Sequence, residues 1–282
     1  MIKLCAFADE ASSDLMGQID ALKRNDICFL ELRSINGKNV KDLSTEEAKK
    51  YSAVLKENGI EVFSIGSPLG KVDINVNFDD YLKEVVHVFE LAKIFGAKKV
   101  RAFSFYNAYN EREKVIKYLT IMADMAQEHG LDLCHENEKE IYGDVANRVL
   151  DILENVPKLK SVYDPANFLQ VGETADTTLD LLHSRADYFH IKDMICKTEE
   201  IVPAGYGDGN IAELVKRIDG DKVLSIEPHL AIFGGYNQID GREMKHKFHF
   251  SSNDEAFDTA VSALKGLLTS LGYKEKEGGF IK

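Results

Sequence analysis

Short apolar runs and longer amphipathic stretches alternate along the whole chain. The runs at Lys3–Ala8, Ile27–Arg33, Ile60–Gly66, Lys99–Phe105, Leu131–Glu136, Leu159–Asp164, Ala186–His190 and Lys222–Glu227 each read as a strand. Between them, apolar residues recur at helical spacing. Leu15, Ile19 and Leu22 share one face of a helix that Ser13 or Asp14 can cap and that runs to about Arg24. Ser44-Thr45-Glu46-Glu47 opens the second helix with capping-box chemistry, and Asn58-Gly59 closes it. Further helices are expected over Asp79–Phe95, Glu111–His129, Asp144–Asn155, Thr178–Ser184, Ile211–Ile218 and Asp254–Leu271.

Strands that alternate with helices imply parallel pairing, because each crossover carries the chain back over one face of the sheet. Eight such units in 282 residues predict an α/β protein, a single (β/α)8 TIM barrel domain spanning residues 1–282. Ser67-Pro68-Leu69-Gly70-Lys71 is expected as a loop over the barrel mouth. Longer loops are expected at Pro203 to Asn210 and at Pro228 to Asn253, and the tail Lys274 to Lys282 reads as mobile.

In such a barrel the carboxyl ends of the strands converge on one face, so residues far apart in sequence meet there. The last four strands end in Glu136, Asp164, His190 and Glu227. That set of oxygen and nitrogen donors suits a divalent ion such as Mn²⁺, Mg²⁺ or Co²⁺. Strand alternation makes the placement checkable: if these four point inward, Leu133, His135, Tyr163, Phe189, Ile191, Leu224 and Ile226 face the helices. His135 is the polar exception, expected in a polar layer just beyond the helices.

Composition narrows the function. A formal net charge of −12 leaves no basic footprint for a phosphate backbone, so nucleic acid is not an expected partner. No apolar run approaches the roughly 18 residues of a membrane span, and the N-terminal run breaks at Asp9-Glu10, too soon for a signal sequence. A cytoplasmic protein with no membrane partner is the expectation. The 4 cysteines have no Cys-x-x-Cys neighbour and read as reduced thiols, mostly in the core.

Five motifs in order, His135-Glu136-Asn137, Tyr163-Asp164-Pro165-Ala166-Asn167, His190-Ile191-Lys192-Asp193, the loop Gly205 to Asn210, and Glu227-Pro228-His229, fall on strands five to eight. In these residues the chain resembles the sugar phosphate isomerase/epimerase group of xylose-isomerase-like barrels, related in fold to endonuclease IV. The resemblance implies one divalent ion held by Glu136, Asp164, His190 and Glu227. Manganese is the first expectation, with magnesium, cobalt or zinc as alternatives. It further implies that Glu136 and Glu227 are the catalytic acid/base groups, acting on a small carbohydrate, and that the protein forms a homodimer or tetramer. Both epimerisation and aldose–ketose isomerisation remove a proton beside a carbonyl while a metal stabilises the enediolate oxygen. An inosose-type dehydratase and a partner-dependent sugar-binding subunit are the alternatives. A trinuclear nuclease is disfavoured, because Asn167 stands where those relatives commonly carry histidine and the chain is acidic.

Lys192 lies two residues past His190 and so shares its inward face, placed to hold a substrate hydroxyl, carbonyl or phosphate, or else to pair with a barrel carboxylate. Asn167, Arg33 and His229 are the other expected substrate contacts, with His229 equally suited to support a ligand. Glu31 and Arg101 are expected as an interior ion pair, since a charge inside a barrel must be matched. The glycine loop lacks the dinucleotide spacing. It reads as a tight turn in which Asp208 or Asn210 caps the next helix, with phosphate binding by its amides as the alternative. The basic segment Arg242 to Phe250 is expected either to grip an anionic substrate or to form a subunit interface. His87, His129 and His183 fall on helices and read as structural.

Overall fold

Residues 1–230, 245, 246, 248–276 and 278–282 are described by a computed structural model. Eight parallel strands follow one another around a barrel: β1 (Ile2–Ala6), β2 (Phe29–Leu32), β3 (Glu61–Leu69), β4 (Lys99–Ala102), β5 (Asp132–Glu136), β6 (Lys160–Tyr163), β7 (Ala186–Ile191) and β8 (Lys222–Ile226). The sheet closes where β8 pairs with β1, in register from Ile2 opposite Lys222 to Ala6 opposite Ile226. The expected (β/α)8 barrel is thus the observed fold.

Helices α1 (Leu15–Arg24), α2 (Thr45–Glu57), α3 (Phe78–Phe95), α4 (Arg112–Glu128), α5 (Ala146–Asn155), α6 (Pro165–Gln170), α7 (Ala175–Leu182), α8 (Ile211–Lys216) and α9 (Asn253–Ser270) surround it. Local chemistry sets their ends. Asp14 caps α1 by accepting from the Gly17 amide, and Ser44 with Glu47 completes the expected capping box on α2. Gly96 ends α3 in the left-handed conformation.

Alternation along the strands separates two cores. Leu133, Tyr163, Phe189, Ile191, Leu224 and Ile226 join the large core between sheet and helices. Cys134, Val162 and Tyr188, with Phe63 and Val223 packed on them, form a small separate cluster inside the barrel. Each of these interior residues on β5, β6 and β7 lies two positions before Glu136, Asp164 or His190. The apolar plug therefore forms the floor on which the polar strand ends stand.

Several boundaries differ from expectation. Ser67, Pro68 and Leu69 continue β3 instead of opening a loop. The Ser67 hydroxyl donates to the Arg101 carbonyl at 2.5 Å and the Phe103 amide to the Leu69 carbonyl at 2.7 Å, so the partner strand supplies the extra pairing. Gly70, at φ +86°, then turns the chain so tightly that a Cβ there would lie 2.0 Å from the Phe103 oxygen. Strand β2 begins at Phe29, which leaves Cys28 exposed, as is Cys196. His135 does not sit in a polar layer. Its ring is fully buried with no hydrogen bond to either nitrogen among the described residues, and burial lowers its pKa to about 3.

The tail is not loose. Lys274–Lys276 and Gly279–Ile281 form an antiparallel hairpin, and Phe280 lies opposite Ile2 on β1 with 2 % of its surface exposed. The polar composition of the hairpin hid one buried anchor. Replacing it, Phe280→Ala, is expected to cost about 3 kcal/mol, the scale for truncating a buried phenylalanine. Chemical denaturation would check this, and an unchanged midpoint would mean that the tail does not close the barrel floor.

Candidate metal centre

The carboxyl ends of β5 to β8 deliver the four expected ligands to one place. One donor atom from each of Glu136, Asp164, His190 and Glu227 lies within 4.8 Å of the other three, and all four residues are buried. Glu136 ends β5 and Asp164 directly follows β6. Asp164 is also the N-cap of α6, accepting from the Asn167 amide at 2.9 Å with Pro165 at the first helical position. That leaves its second oxygen, Oδ2, directed at the cluster.

The fit to a cation can be tested on these atoms. Glu136 Oε2, Asp164 Oδ2 and Glu227 Oε2 are buried and accept no hydrogen bond among the described residues, though Arg101 Nη1 lies 3.1 Å from the first and Lys192 Nζ 3.0 Å from the second. Buried carboxylate oxygens left in that condition are costly unless a charge meets them. His190 Nδ1 faces the same space, 2.9 Å from Glu136 Oε1 and 3.3 Å from Glu227 Oε2. Asp9, Glu10, Glu31, Glu136, Asp164 and Glu227 are all buried here, against the buried cations Arg33, Arg101 and Lys192. Negative charge is in excess, and three oxygens with one imidazole nitrogen are a suitable donor set for a divalent ion.

The same imbalance moves the titrating groups. Burial pushes Asp164 up to about 6, aided by Glu136 and Glu227 and opposed by Lys192. Burial likewise pushes Glu10 up to about 8 in spite of Arg33. For His190 burial acts downward, but Glu136 and Glu31 outweigh it and hold the imidazole well above its ordinary value. Burial would raise Glu227, yet Lys192, His229 and His190 keep it well below the usual carboxylate range. Burial and the repulsion between carboxylates thus draw protons to Asp164 and Glu10 even beside Lys192 and Arg33.

The expected contact residues lie at this cluster. Lys192 Nζ is 3.0 Å from Asp164 Oδ2 and 3.7 Å from Glu227 Oε2. Arg33 is deeper than a mouth residue. Its guanidinium meets Asp9 through two 2.9 Å bonds, Glu10 at 3.2 Å and Glu227 Oε1 at 2.9 Å, above the Phe7 ring. Asn167 Nδ2 donates to the Asn137 carbonyl at 2.9 Å and to Glu136 Oε1 at 3.4 Å. His229 has φ +47°, its amide donates to Glu10 Oε2 at 2.7 Å, and Nε2 lies 3.4 Å from Glu10 Oε1 and 3.5 Å from Glu227 Oε1.

The expected Glu31–Arg101 pair is replaced by another arrangement. Arg101 Nη1 instead lies 3.1 Å from Glu136 Oε2 and 3.7 Å from Glu227 Oε1. Glu31 instead takes the Tyr188 hydroxyl and the Ser225 hydroxyl, each at 2.7 Å, and faces His190 Nε2 at 3.2 Å.

The glycine loop is organised by Asp193. Its carboxylate accepts from the amides of Gly205 at 2.9 Å, Gly207 at 3.0 Å and Gly209 at 2.9 Å, as well as from Met194. An internal anion thereby takes the amides that a phosphate would need. Asn210 occupies the N-cap of α8 but makes no capping bond, and its side chain donates instead to Asp176. Of the loop expected at Pro228 to Asn253, residues 231–244 and 247 lie outside the described residues, among them 242–244 and 247 of the basic segment, and the Tyr206 ring packs at 5.9 Å on Phe248.

Other participants were given no role by the sequence, although Asn137 lies in one of the five motifs. Asn137 bonds both the amide and the carbonyl of Asp164 at 2.9 Å, tying β5 to β6 at the site. Asp9 and Glu10 lie in a 3-10 turn just past β1, outside any strand pattern. Lys71 sits 2.9 Å from Glu138 and over the Phe103 ring.

Residues 19–246 match the family description "xylose isomerase-like TIM barrel". The chain belongs to that family. No curated protein matches it in sequence. Among solved structures, the IolI protein with a binding zinc atom superposes at a TM-score of 0.73 and 16 % identity, covering 95 % of this chain and 99 % of that one. A D-allulose 3-epimerase from Methylomonas sp. gives 0.71 at 14 % identity, covering 94 % and 98 %. The probable 3-DHS dehydratase AsbF of Bacillus anthracis gives 0.71 at 16 % identity, covering 94 % and 99 %. Identities this low establish the shared fold. Among the described residues no helix is long and apolar enough to cross a membrane.

A ligand that binds the folded state alone stabilises it, by about 2.7 kcal/mol at one hundred times its dissociation constant. Mn²⁺ or Zn²⁺ added to chelator-stripped protein is therefore expected to raise Tm, and Asp164→Asn to abolish the rise. A second expectation concerns the loop. Asp193→Ala strands several amides at once and should lower stability by roughly 3 kcal/mol, with faster proteolysis near the exposed Tyr206. Unchanged cleavage would show that the carboxylate does not hold the loop.

Proposed function

We propose that the protein is a divalent-metal-dependent isomerase or epimerase of a small sugar, sugar phosphate or related polyol, acting by proton abstraction beside a carbonyl. The observation that carries this reading is the convergence of two buried glutamates, Glu136 and Glu227, on one donor cluster with Asp164 and His190. A divalent ion held there supplies Lewis-acid stabilisation of the oxyanion that develops as the proton leaves.

The chain's own residues do the remainder. Glu136 and Glu227 reach the cluster from β5 and from the end of β8, and in this reading one carboxylate takes a proton from a carbon and the other returns one. Arg33 and Arg101 fix their orientations from below. Lys192 stands among the carboxylates with an ammonium able to meet a substrate oxygen. Return to the opposite face of the same carbon inverts it, and return to the neighbouring carbon isomerises the sugar. Manganese is the proposed metal, with zinc, magnesium and cobalt as the competitors in the same assay.

The test is solvent-deuterium incorporation into a panel of ketoses, ketose phosphates and keto-inositols, with Mn²⁺ present and after chelation. Metal-dependent exchange is expected, reduced on the order of 10²- to 10⁴-fold by Glu136→Gln or Glu227→Gln, the usual contribution of a positioned acid or base. Absence of exchange across the panel with metal bound would overturn the reading. The likeness to a probable dehydratase supports a second outcome, loss of hydroxide after the same abstraction. An enone absorbing in the ultraviolet would identify it.

A further inference from the structure

Glu31 points into the barrel from β2, is fully buried, and has no part in the donor cluster. Its surroundings are specific. Oε1 accepts from the Tyr188 hydroxyl at 2.7 Å, and Oε2 accepts from the Ser225 hydroxyl at 2.7 Å while facing His190 Nε2 at 3.2 Å. The other nitrogen of the same ring, Nδ1, is the one that faces Glu136 and Glu227. Phe7 packs edge-on against the ring at 5.1 Å and Tyr188 at 5.6 Å, so the imidazole has little freedom to flip.

We infer that Glu31 is a positioning residue for the metal centre. It accepts the Nε2 proton of His190, which fixes the tautomer that presents a lone pair on Nδ1, and it turns the ring plane towards the donor cluster. This inference rests on the proposed metal site and deepens it. A carboxylate behind a metal-binding imidazole holds the ring and raises its basicity, and removing such a partner typically weakens metal binding 10- to 100-fold. Interior charge matching is the competing account, and the geometry disfavours it. Arg101 turns to Glu136 and Glu227, whereas the donors on Glu31 are two hydroxyls and the imidazole. Tyr188 and Ser225 hold Glu31 in turn, and Ser64 lies 3.4 Å from the Tyr188 hydroxyl, so a polar chain crosses the barrel under the metal ligands.

The experiment has two arms. In the first, Zn²⁺-loaded parent protein is examined by long-range proton–nitrogen correlation NMR of its histidines. His190, assigned by loss of its signals in His190→Gln, is expected to carry a proton on Nε2 and none on Nδ1. A proton on Nδ1, or metal on Nε2, would sink the inference. In the second, Co²⁺ affinity is measured by chelator competition for the parent, Glu31→Gln and Tyr188→Phe. Glu31→Gln should lose roughly 10- to 100-fold in affinity and alter the visible Co²⁺ spectrum, and Tyr188→Phe should lose less. Equal affinity and an unchanged spectrum in Glu31→Gln would overturn it. Should the parent itself bind neither ion, the metal reading fails, and that outcome is distinct from failure of the Glu31 assignment. If Glu31→Gln does not fold, the tautomer in the parent decides.

Discussion

Buried carboxylate charge at the ends of the barrel strands is the constraint that shapes the rest of this molecule. Six carboxylates lie within the barrel mouth and out of water, and none can stay ionised there without a nearby cation or donor. The neighbouring sequence answers that demand strand by strand. Arg33 just past β2 spans Asp9, Glu10 and Glu227, Arg101 from β4 meets Glu136, and Lys192 just past β7 meets Asp164. Each guanidinium also lies over the face of Phe7, 4.6 and 5.1 Å from its centre, which lets an aromatic side chain share the floor with two cations. With six carboxylates against Arg33, Arg101 and Lys192, negative charge remains in excess around the donor cluster.

How much of this is legible in the sequence follows from how far each interaction reaches. The four strand ends could be read because period-two alternation ties Glu136, Asp164 and His190 to the same face as Cys134, Val162 and Tyr188. Their common location then follows from barrel closure. The partners of Arg101 and Glu31 could not be read in this way. Both face inward, but which inward neighbours they meet depends on strand stagger, including the register shifts between β2 and β3. Asp9 and Glu10 follow β1 in a 3-10 turn, where no periodicity marks a direction. The terminal hairpin was hidden for another reason. Lys274, Glu275 and Lys276 are exposed, and the hairpin's buried anchor is the single residue Phe280, packed at the barrel floor.

Glycine content misleads in one place and informs in another. Gly70 is required because the Phe103 carbonyl occupies the space of a Cβ and φ is positive. Gly207 is required because a Cβ there would stand 2.4 Å from Asp193 Oδ1. In sequence both resemble loop residues near a ligand, yet the second serves an internal carboxylate. A phosphate-binding loop leaves its amides unpaired and pointed at open space, whereas here three glycine amides end on Asp193.

That difference changes where specificity can reside. With the loop amides committed, the described cations beside the donor cluster include Lys192, paired with Asp164, and Lys71, paired with Glu138 over Phe103. These side chains already carry matched charge. A neutral polyol exchanges hydrogen bonds with such groups without leaving a new buried charge, while a phosphate would have to displace Glu138 from Lys71 or compete with Asp164 for Lys192. Displacing Asp164 strands a fully buried carboxylate and displacing Glu138 a partly buried one, each at a desolvation cost. The charge pairing of the described residues therefore opposes a phosphate seated on Lys192 or on Lys71.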